Sequence, residues 1–351
     1  MKFVHIADVH LGAEPDAGRE YSAKRSREIW NSFRRVVEMC EKEQIDLLLI
    51  AGDLFHRQPL MRELKEVDYL FSGLTKTRVV LVAGNHDYIK KDSYYRNFGW
   101  GKNVHMLSSQ QPEAIVLPEL DTAVYGLSYH SREIESPLYD EILPTENARY
   151  HILLAHGGDE RHIPVKINNL IDKRYDYIAL GHIHKPQELV PDRAAYAGAL
   201  EPIDKNDTGE HGLVKGELNP NGCKTEFVPF ASREYIHMEM EICREMTGFA
   251  LRDKIHEQIA NQGVQNIYKI ILTGFRDPEV MFDLESMDVF GNIVEIVDQT
   301  KPAYDFEKLW RQNRDNLIGR YIESFEGCSQ EGVEYQALCE GIHALMETKR
   351  V

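Results

Sequence analysis

The sequence is short of cysteine, of positive charge and of long apolar runs, and each shortage excludes something. Its five cysteines, Cys40, Cys223, Cys243, Cys328 and Cys339, are scattered and form no Cys-x-x-Cys pair. That removes a disulfide framework and a zinc knuckle, and suits a reducing compartment. No apolar run approaches the roughly 20 residues needed to cross a bilayer. The chain enters a strand at once, without a basic segment leading into an apolar one, so a cytoplasmic protein with no membrane partner is expected. Lysine and arginine together number 41 against 57 aspartates and glutamates, a formal net charge of −16. Such a sum disfavours nucleic acid, whose phosphates are ordinarily met by basic side chains. A sum does not describe a site, however: a local basic patch or bound cations reverse the sign where it matters.

What is present is room for one large domain and a smaller one, in 351 residues of which 42% are hydrophobic. Residues 1–230 alternate strand and helix patterns. Residues 21–44 carry Ile29, Phe33, Val36, Val37 and Cys40 at helical spacing, and 61–76 also read as a helix. "IDLLLIAGD", "RVVLVAGNHD", "YHILLAHGG" and "YDYIALGHIH" read as buried strands, and "GLVKGEL" and "KTEFVPF" as a closing hairpin around "NPNG". The expected class is α/β, with a two-layer β-sandwich core flanked by helices. Residues 231–301 read as a smaller α+β unit in which "VMFDLESM" and "GNIVEIVD" could pair as strands. Residues 302–351 read as a tail with amphipathic helices at about 305–325 and 331–347.

The chemistry gathers at the strand ends. "FVHIADVHLG" closes on Asp8-x-His10, and residues two apart on an extended chain point the same way. Alone, that pair is open to three readings: a metal site, an acid/base pair or an ordinary turn. "AGDLFH", "AGNHD", "LAHGG" and "LGHIH" repeat the pattern of an apolar run followed by Asp, Asn or His. Ligands of α/β sheets bind beyond the carboxyl ends of the strands, which brings together Asp8, His10, Asp53, Asn85, His86, His156, His182 and His184. Imidazoles, carboxylates and one amide, without thiolate, suit Mn, Fe or Zn rather than a cysteine-rich structural site. Seven or so ligands exceed what one small ion takes and fit two ions about 3.5–4 Å apart sharing a bridging carboxylate. Gly52, Gly84, Gly157 and Gly181 permit the tight turns.

In this order, "DVHLG", "GDLFH", "GNHD", "HGG" and "GHIH" resemble the calcineurin-like metallophosphoesterase superfamily, and within it the SbcD-type DNA repair exonuclease subunits and the related YhaO-type proteins. The leucine after Asp-x-His, the ending "GDLFH" and "YAGALEPID" at 196–204 favour the nuclease branch over the protein phosphatases. The motifs cover residues 1–200; beyond 230 the likeness is one of layout. The resemblance implies that Asp8, His10 and His184 hold one metal ion, that Asn85, His156 and His182 hold the other, and that Asp53 bridges them. The ions are expected to be Mn²⁺. It implies that His86 faces the scissile phosphate with Asp87 as its orienting partner, and that His56 lies near the DNA strand. It further implies DNA exonuclease or endonuclease activity in end processing and repair. The 231–301 unit would be a capping domain, against a plain reading as a stabilising appendage; the tail would dock an SbcC-like ABC-type ATPase, against packing back on its own chain; and a homodimer is open to the chain, as family members commonly pair. The competing reading is a small-molecule phosphodiesterase or phosphatase on the same fold, which metal ligands alone do not distinguish. A second rival is a binding protein that keeps the fold without catalysis; it is disfavoured because no ligand of the pattern is missing.

Other features carry two readings each. The loop "DYIKKDSYYRNFGWGK" (87–102) is either a stacking and phosphate-contacting lip or a segment packing its aromatics on the core. Lys24, Arg25, Arg27, Arg34 and Arg35 read as a solvated helix face. His5, His105, His130, His151 and His162 read as structural, and His211 is undecided.

Overall fold

The computed structural model describes residues 1–329 and 332–348. Parts of the expected tail, residues 330–331 and 349–351, lie outside the described residues. The chain divides into two compact units, Met1–Ile236 and His237–Val351.

The first unit is built on two six-stranded sheets. The strands of the α/β part are β1 (Lys2–Ile6), β2 (Leu47–Ala51), β3 (Arg78–Val82), β4 (Val104–Leu107), β5 (Glu113–Leu117), β6 (Thr122–Gly126), β7 (Tyr150–His156), β8 (Tyr177–Gly181), β9 (Gln187–Val190) and β10 (Ala194–Tyr196). The closing hairpin is β11 (Gly212–Asn219) and β12 (Gly222–Pro229). Spatial order is β12-β11-β1-β2-β3-β4 in one sheet and β5-β6-β7-β8-β10-β9 in the other. The centres of both are parallel: Ile6 pairs with Ile50, Ala51 with Val82, and His156 with Gly181. Parallel strands covered on both faces read as continuous apolar runs, as LLLIA and YIALG do.

Alternation along each strand then sorts the side chains. Leu47, Leu49, Val80 and Val82 face Val124, Ile152, Leu154 and Ala179 between the sheets. Leu48, Ile50, Val79 and Leu81 turn outward against α1 (Ser22–Lys42) and α2 (Met61–Ser72), meeting Ile29, Phe33, Val36, Val67 and Phe71. The far side of the second sheet is covered by Tyr139, Tyr175 and Leu170, the last from the short α3 (Ile167–Ile171). The two-layer β core with flanking helices is thus present.

Arg25 departs from its expected place on a solvated face: it is fully buried. Its Nη1 donates to Glu28 at 2.8 Å and to the equally buried Glu201 at 3.2 Å, and its Nη2 donates to the Pro202 carbonyl at 2.8 Å. Arg25, Ile29, Ser32 and Val36 share the buried stripe of α1. The 87–102 loop packs inward, with Tyr95 buried and Phe98 and Trp100 against the core shared with α2.

In the second unit, β13 (Tyr235–Ile242), β14 (Ile267–Arg276) and β15 (Ile293–Asp298) lie in that order, with the short β16 (Lys301–Pro302) on β14. The helix α4 (Gly248–Gln262) buries Leu251, Ile255 and Ile259. "VMFDLESM" forms no strand. Residues 285–287 are a 3₁₀ turn, and the Asp288 carboxylate accepts the N–H groups of Asn292 and Ile293, so the chain turns there straight into β15. The helix expected over 305–325 is two, α5 (Phe306–Asn313) and α6 (Leu317–Glu323), because the Asn316 side chain caps α6 at Ile318 N, 2.9 Å away. These pack with α7 (Val333–Glu347) around Ile318, Leu338 and Ile342.

His5, on β1, is wholly buried beside the Tyr177 hydroxyl, 3.0 Å from its Nδ1, and burial lowers its pKa from 6.5 to about 3. The unfolded chain protonates this histidine below pH 6.5 while the folded chain does not, so stability is lost as pH falls from 6.5 towards 3. His5→Gln is expected to flatten the acid limb of denaturant-measured stability by about 2 kcal/mol between pH 7 and pH 5. Parallel pH profiles for variant and wild type would contradict this.

Candidate metal centre

His156 is the last residue of β7, the other residues of the strand-end set sit on the short loops that leave β1, β2, β3 and β8, and four of the set adopt left-handed backbone. The φ angles are +47° at Asp8, +52° at His10, +49° at Asp53 and +97° at His182. Non-glycine residues hold such conformations at a cost of order 1–3 kcal/mol each, and they persist where the surroundings over-determine them. Here the loops are laced together: Asp8 N donates to Gly52 O at 3.1 Å, His10 N to Asp53 O at 3.0 Å and Leu11 N to Leu54 O at 2.9 Å. Glycine is required where loops touch. A Cβ on Gly84 would collide with Asp53 Oδ1, and one on Gly181 would collide with the Ala51 carbonyl.

Asp8, His10 and His156 are fully buried, and Asp53 and Asn85 nearly so. Asp8 accepts His182 N–H through both oxygens, at 2.9 and 3.1 Å, and Asp53 Oδ1 accepts His86 N–H at 2.8 Å. Asp53 Oδ2 lies 3.5 Å from His156 Nε2 and 4.0 Å from His10 Nε2. Burial raises the pKa of both carboxyls, that of Asp8 to about 8.

The imidazoles are held from outside. His156 Nδ1 donates to the Ala51 carbonyl at 2.9 Å, while Tyr139 Oη bonds the His156 backbone on both its N–H and its carbonyl. His182 Nε2 donates to Asp159 Oδ2 at 2.8 Å. With those protons committed, the inner nitrogens of the neutral rings are lone pairs, and both point at Asn85 Oδ1, from 2.8 Å for His156 and 3.2 Å for His182. Burial keeps these rings neutral, lowering His156 to about 3 and His182 to about 4. Acceptors aimed at one another are the signature of a cation site. His184 differs. Burial opposes its charge, but Asp207 at 3.0 Å from Nδ1, together with Asp8 and Asp53, outweighs burial and raises it to about 9. Its Nε2–H therefore faces His10 Nε2, 3.1 Å away, in the position a metal ion would take on releasing that proton. Donor atoms of Asp8, His10 and His184, and those of Asp8, Asp53 and His156, converge within 4.8 Å of one another. The residues present therefore fit divalent cations.

His86 stands at the rim, half-buried, with its ring 4.9 Å from that of His10 and 5.1 Å from that of His56. Its Nδ1 lies 3.0 Å from the His56 carbonyl. Asp87 does not touch that imidazole. Its carboxylate is buried and accepts Gly84 N–H at 2.8 Å, Phe55 N–H at 3.2 Å and the Tyr95 hydroxyl at 2.9 Å, so it braces the two loops that carry Asp53 and His86. The sequence reading missed Asp159 and Asp207 behind the histidines, and took His162 as structural where it lies 2.9 Å from Asp159. His211 is buried, its Nδ1 on the Gly209 carbonyl at 2.9 Å.

Comparison with known proteins bears on the family. The profile of the family described as calcineurin-like phosphoesterase matches residues 1–186. The chain belongs to the calcineurin-like phosphoesterase family. It is 29% identical to the uncharacterized metallophosphoesterase YhaO of Bacillus subtilis (strain 168), over 65% of this chain and 60% of that one. It is 27% identical to the DNA double-strand break repair protein Mre11 of Archaeoglobus fulgidus, over 69% and 62%. It is likewise 27% identical to the SbcD component of the nuclease SbcCD of Staphylococcus epidermidis, over 57% and 61%. The chain thus spans about 60% of the length of these curated relatives.

Gly84→Ala tests the loop contact. The added methyl collides with the Asp53 carboxylate and backbone, so the variant is expected to lose about 1–3 kcal/mol of stability and to bind Mn²⁺ more weakly by calorimetry. Wild-type Mn²⁺ affinity in a folded Gly84→Ala protein would mean that Asp53 is not held by this approach.

Proposed function

We propose that this phosphoesterase is a metal-dependent DNA nuclease, hydrolysing phosphodiester bonds during end processing and repair. The observation that carries the reading is a linked cluster of seven side chains of metal-ligand type, in which donor atoms of Asp8, His10 and His184, and of Asp8, Asp53 and His156, lie within 4.8 Å of one another and Asn85 meets His156 and His182, with His86 at its rim. In this reading Asp8, His10 and His184 hold one divalent ion and Asn85, His156 and His182 the other, with Asp53 between the two sets and Mn²⁺ the favoured metal. Two such ions supply positive charge for the phosphate and a water acidic enough to act as nucleophile near neutral pH.

The remaining roles belong to the chain. His86 Nδ1–H donates to the His56 carbonyl, which fixes the ring and turns Nε2 to the leaving oxygen, where the imidazolium form would act as general acid. The His56 ring, tilted 31° to that of His86, flanks the same approach and is assigned to the DNA strand. Asp87 acts at one remove, as the brace that keeps the Asp53 and His86 loops in register. The acidic surface is no obstacle, because the charge that meets the phosphate is local. Relatives named for DNA repair support DNA as the substrate class. The segment 231–301 is assigned to substrate choice. The tail from residue 302 is assigned to docking an SbcC-like ABC-type ATPase, and pairing of two copies fits the same assembly. A cytoplasmic location goes with it.

The test is digestion of end-labelled linear duplex DNA with Mn²⁺, with EDTA, and with His86→Ala. Label should be lost only with metal, and His86→Ala should lower the rate about 10²–10⁴-fold while binding Mn²⁺ like the wild type. Intact DNA alongside metal-dependent hydrolysis of a small phosphodiester such as bis(p-nitrophenyl) phosphate would overturn the choice of substrate. Full turnover by His86→Ala would overturn its role.

Asp87→Ala separates bracing from chemistry. It removes a buried acceptor from three donors and is expected to cost about 2–4 kcal/mol in denaturant unfolding. Unchanged stability would show that the two loops hold their register without it.

A further inference from the structure

The second histidine of "GHIH" is held by a carboxylate that comes from far along the chain. Asp207 lies 23 residues beyond His184, and its Oδ2 accepts the His184 Nδ1–H at 3.0 Å. The same oxygen accepts the backbone N–H groups of Ile203 and Asp204, each at 3.1 Å, and the side chain is only 14% exposed. Asp207 is thus fixed before it meets the imidazole. The loop that carries it is itself fixed. At its start, buried Glu201 accepts Ser32 Oγ and Ser232 N–H, each at 2.6 Å, and Arg25 Nη1 at 3.2 Å. Arg25 also holds the Pro202 carbonyl. The His184 backbone is pinned by the same stretch, Ala199 N donating to its carbonyl at 2.8 Å.

We propose that Asp207 is the positioning residue of the first metal position: it commits His184 to the Nδ1–H tautomer and aims Nε2 at Asp8 and His10. The inference rests on the assignment of Asp8, His10 and His184 as ligands and adds a residue outside the sequence motifs. Free imidazole favours the Nε2–H tautomer, in which the inner nitrogen is no ligand; a carboxylate fixed at Nδ1 reverses that preference and orients the ring. Asp159 provides an internal contrast. It bonds His182 at a similar 2.8 Å but is 49% exposed, so water competes for the same proton and its hold is weaker. The burial of Arg25 and Glu201 thereby acquires a use: the pair anchors the loop that aims a ligand.

Equilibrium dialysis and calorimetry with Mn²⁺ alone, read together with ¹⁵N spectra of the histidine rings, test this without any nuclease assay. In Asp207→Ala, one of two Mn²⁺ equivalents should weaken about 10–100-fold while the other keeps its affinity, and in spectra taken above pH 9, where the metal-free His184 ring is neutral, the variant's ring should shift towards Nε2–H. Asp207→Asn, whose amide oxygen still accepts the Nδ1–H, should recover most of the affinity and keeps the test alive if the alanine variant unfolds. Asp159→Ala should weaken Mn²⁺ binding by a smaller factor. Two equivalents of unchanged affinity in Asp207→Ala would overturn the role of Asp207 and leave the metal centre standing. A wild-type chain that binds no Mn²⁺ would overturn the centre itself, and this proposal with it.

Discussion

Two carboxylates, Asp8 and Asp53, are placed where water does not reach them, at the ends of adjacent parallel strands and on left-handed backbone. Much of the first unit can be understood as an answer to that placement. Buried carboxylates without compensation become protonated or unfold the protein. The compensation is built from backbone amides of the opposing loops, His182 N–H on Asp8 and His86 N–H on Asp53, and from a ring of imidazoles. Glycines at 84 and 181 exist because the loops must approach within a distance no side chain tolerates. Continuous apolar strands anchor both sides, so the cost of strained, polar strand ends is carried by the packing behind them.

The imidazoles are not equivalent, and the difference lies in what stands behind each. His156 is held by a backbone carbonyl, His182 by a half-exposed aspartate and His184 by a less exposed, multiply bonded one. Ligand strength in such a centre is set from outside as much as by the ligand atom. The chain's acidity, which at first argued against a phosphate substrate, is partly used in this way: Asp159 and Asp207 face histidines rather than solvent alone, and Glu28 and Glu201 face Arg25.

The architecture and the composition of the centre were legible because both follow from local rules. Apolar runs capped by Asp, Asn or His mark parallel strands and their ligand-bearing ends. The outer shell was not legible, because nothing in the spacing of "PIDKNDTG" says which aspartate folds back on His184; that depends on a loop pinned by a residue of α1. Arg25 is legible by period, since its spacing to Ile29, Ser32 and Val36 places it on the apolar stripe, although its charge suits a solvated face. Asp87 reads in sequence as the partner of its neighbour His86, whereas its carboxylate accepts Gly84 N–H, Phe55 N–H and the Tyr95 hydroxyl. The break between α5 and α6 was written in Asn313 and Asn316, residues that cap better than they continue a helix.

The two sheets approach closely at the Ala51 carbonyl and Gly181, and Ala7 bridges to Ala199 close by. Elsewhere between the sheets, leucine and valine form a layer that can repack. At this end there is no such layer, only backbone with the Ala7 methyl and the His156 ring beside it. Asp8, Asp53 and Asn85 ride on one sheet and His156, His182 and His184 on the other, so any sliding or splaying of the sheets moves the two halves of the pocket apart by the same amount. The pocket is therefore a gauge of how stiffly the sandwich is closed. Slow hydrogen exchange at the His182 and His86 amides would be its mechanical readout, and catalytic distances would be kept by the rigidity of the whole sandwich rather than by the loops on which the ligands sit.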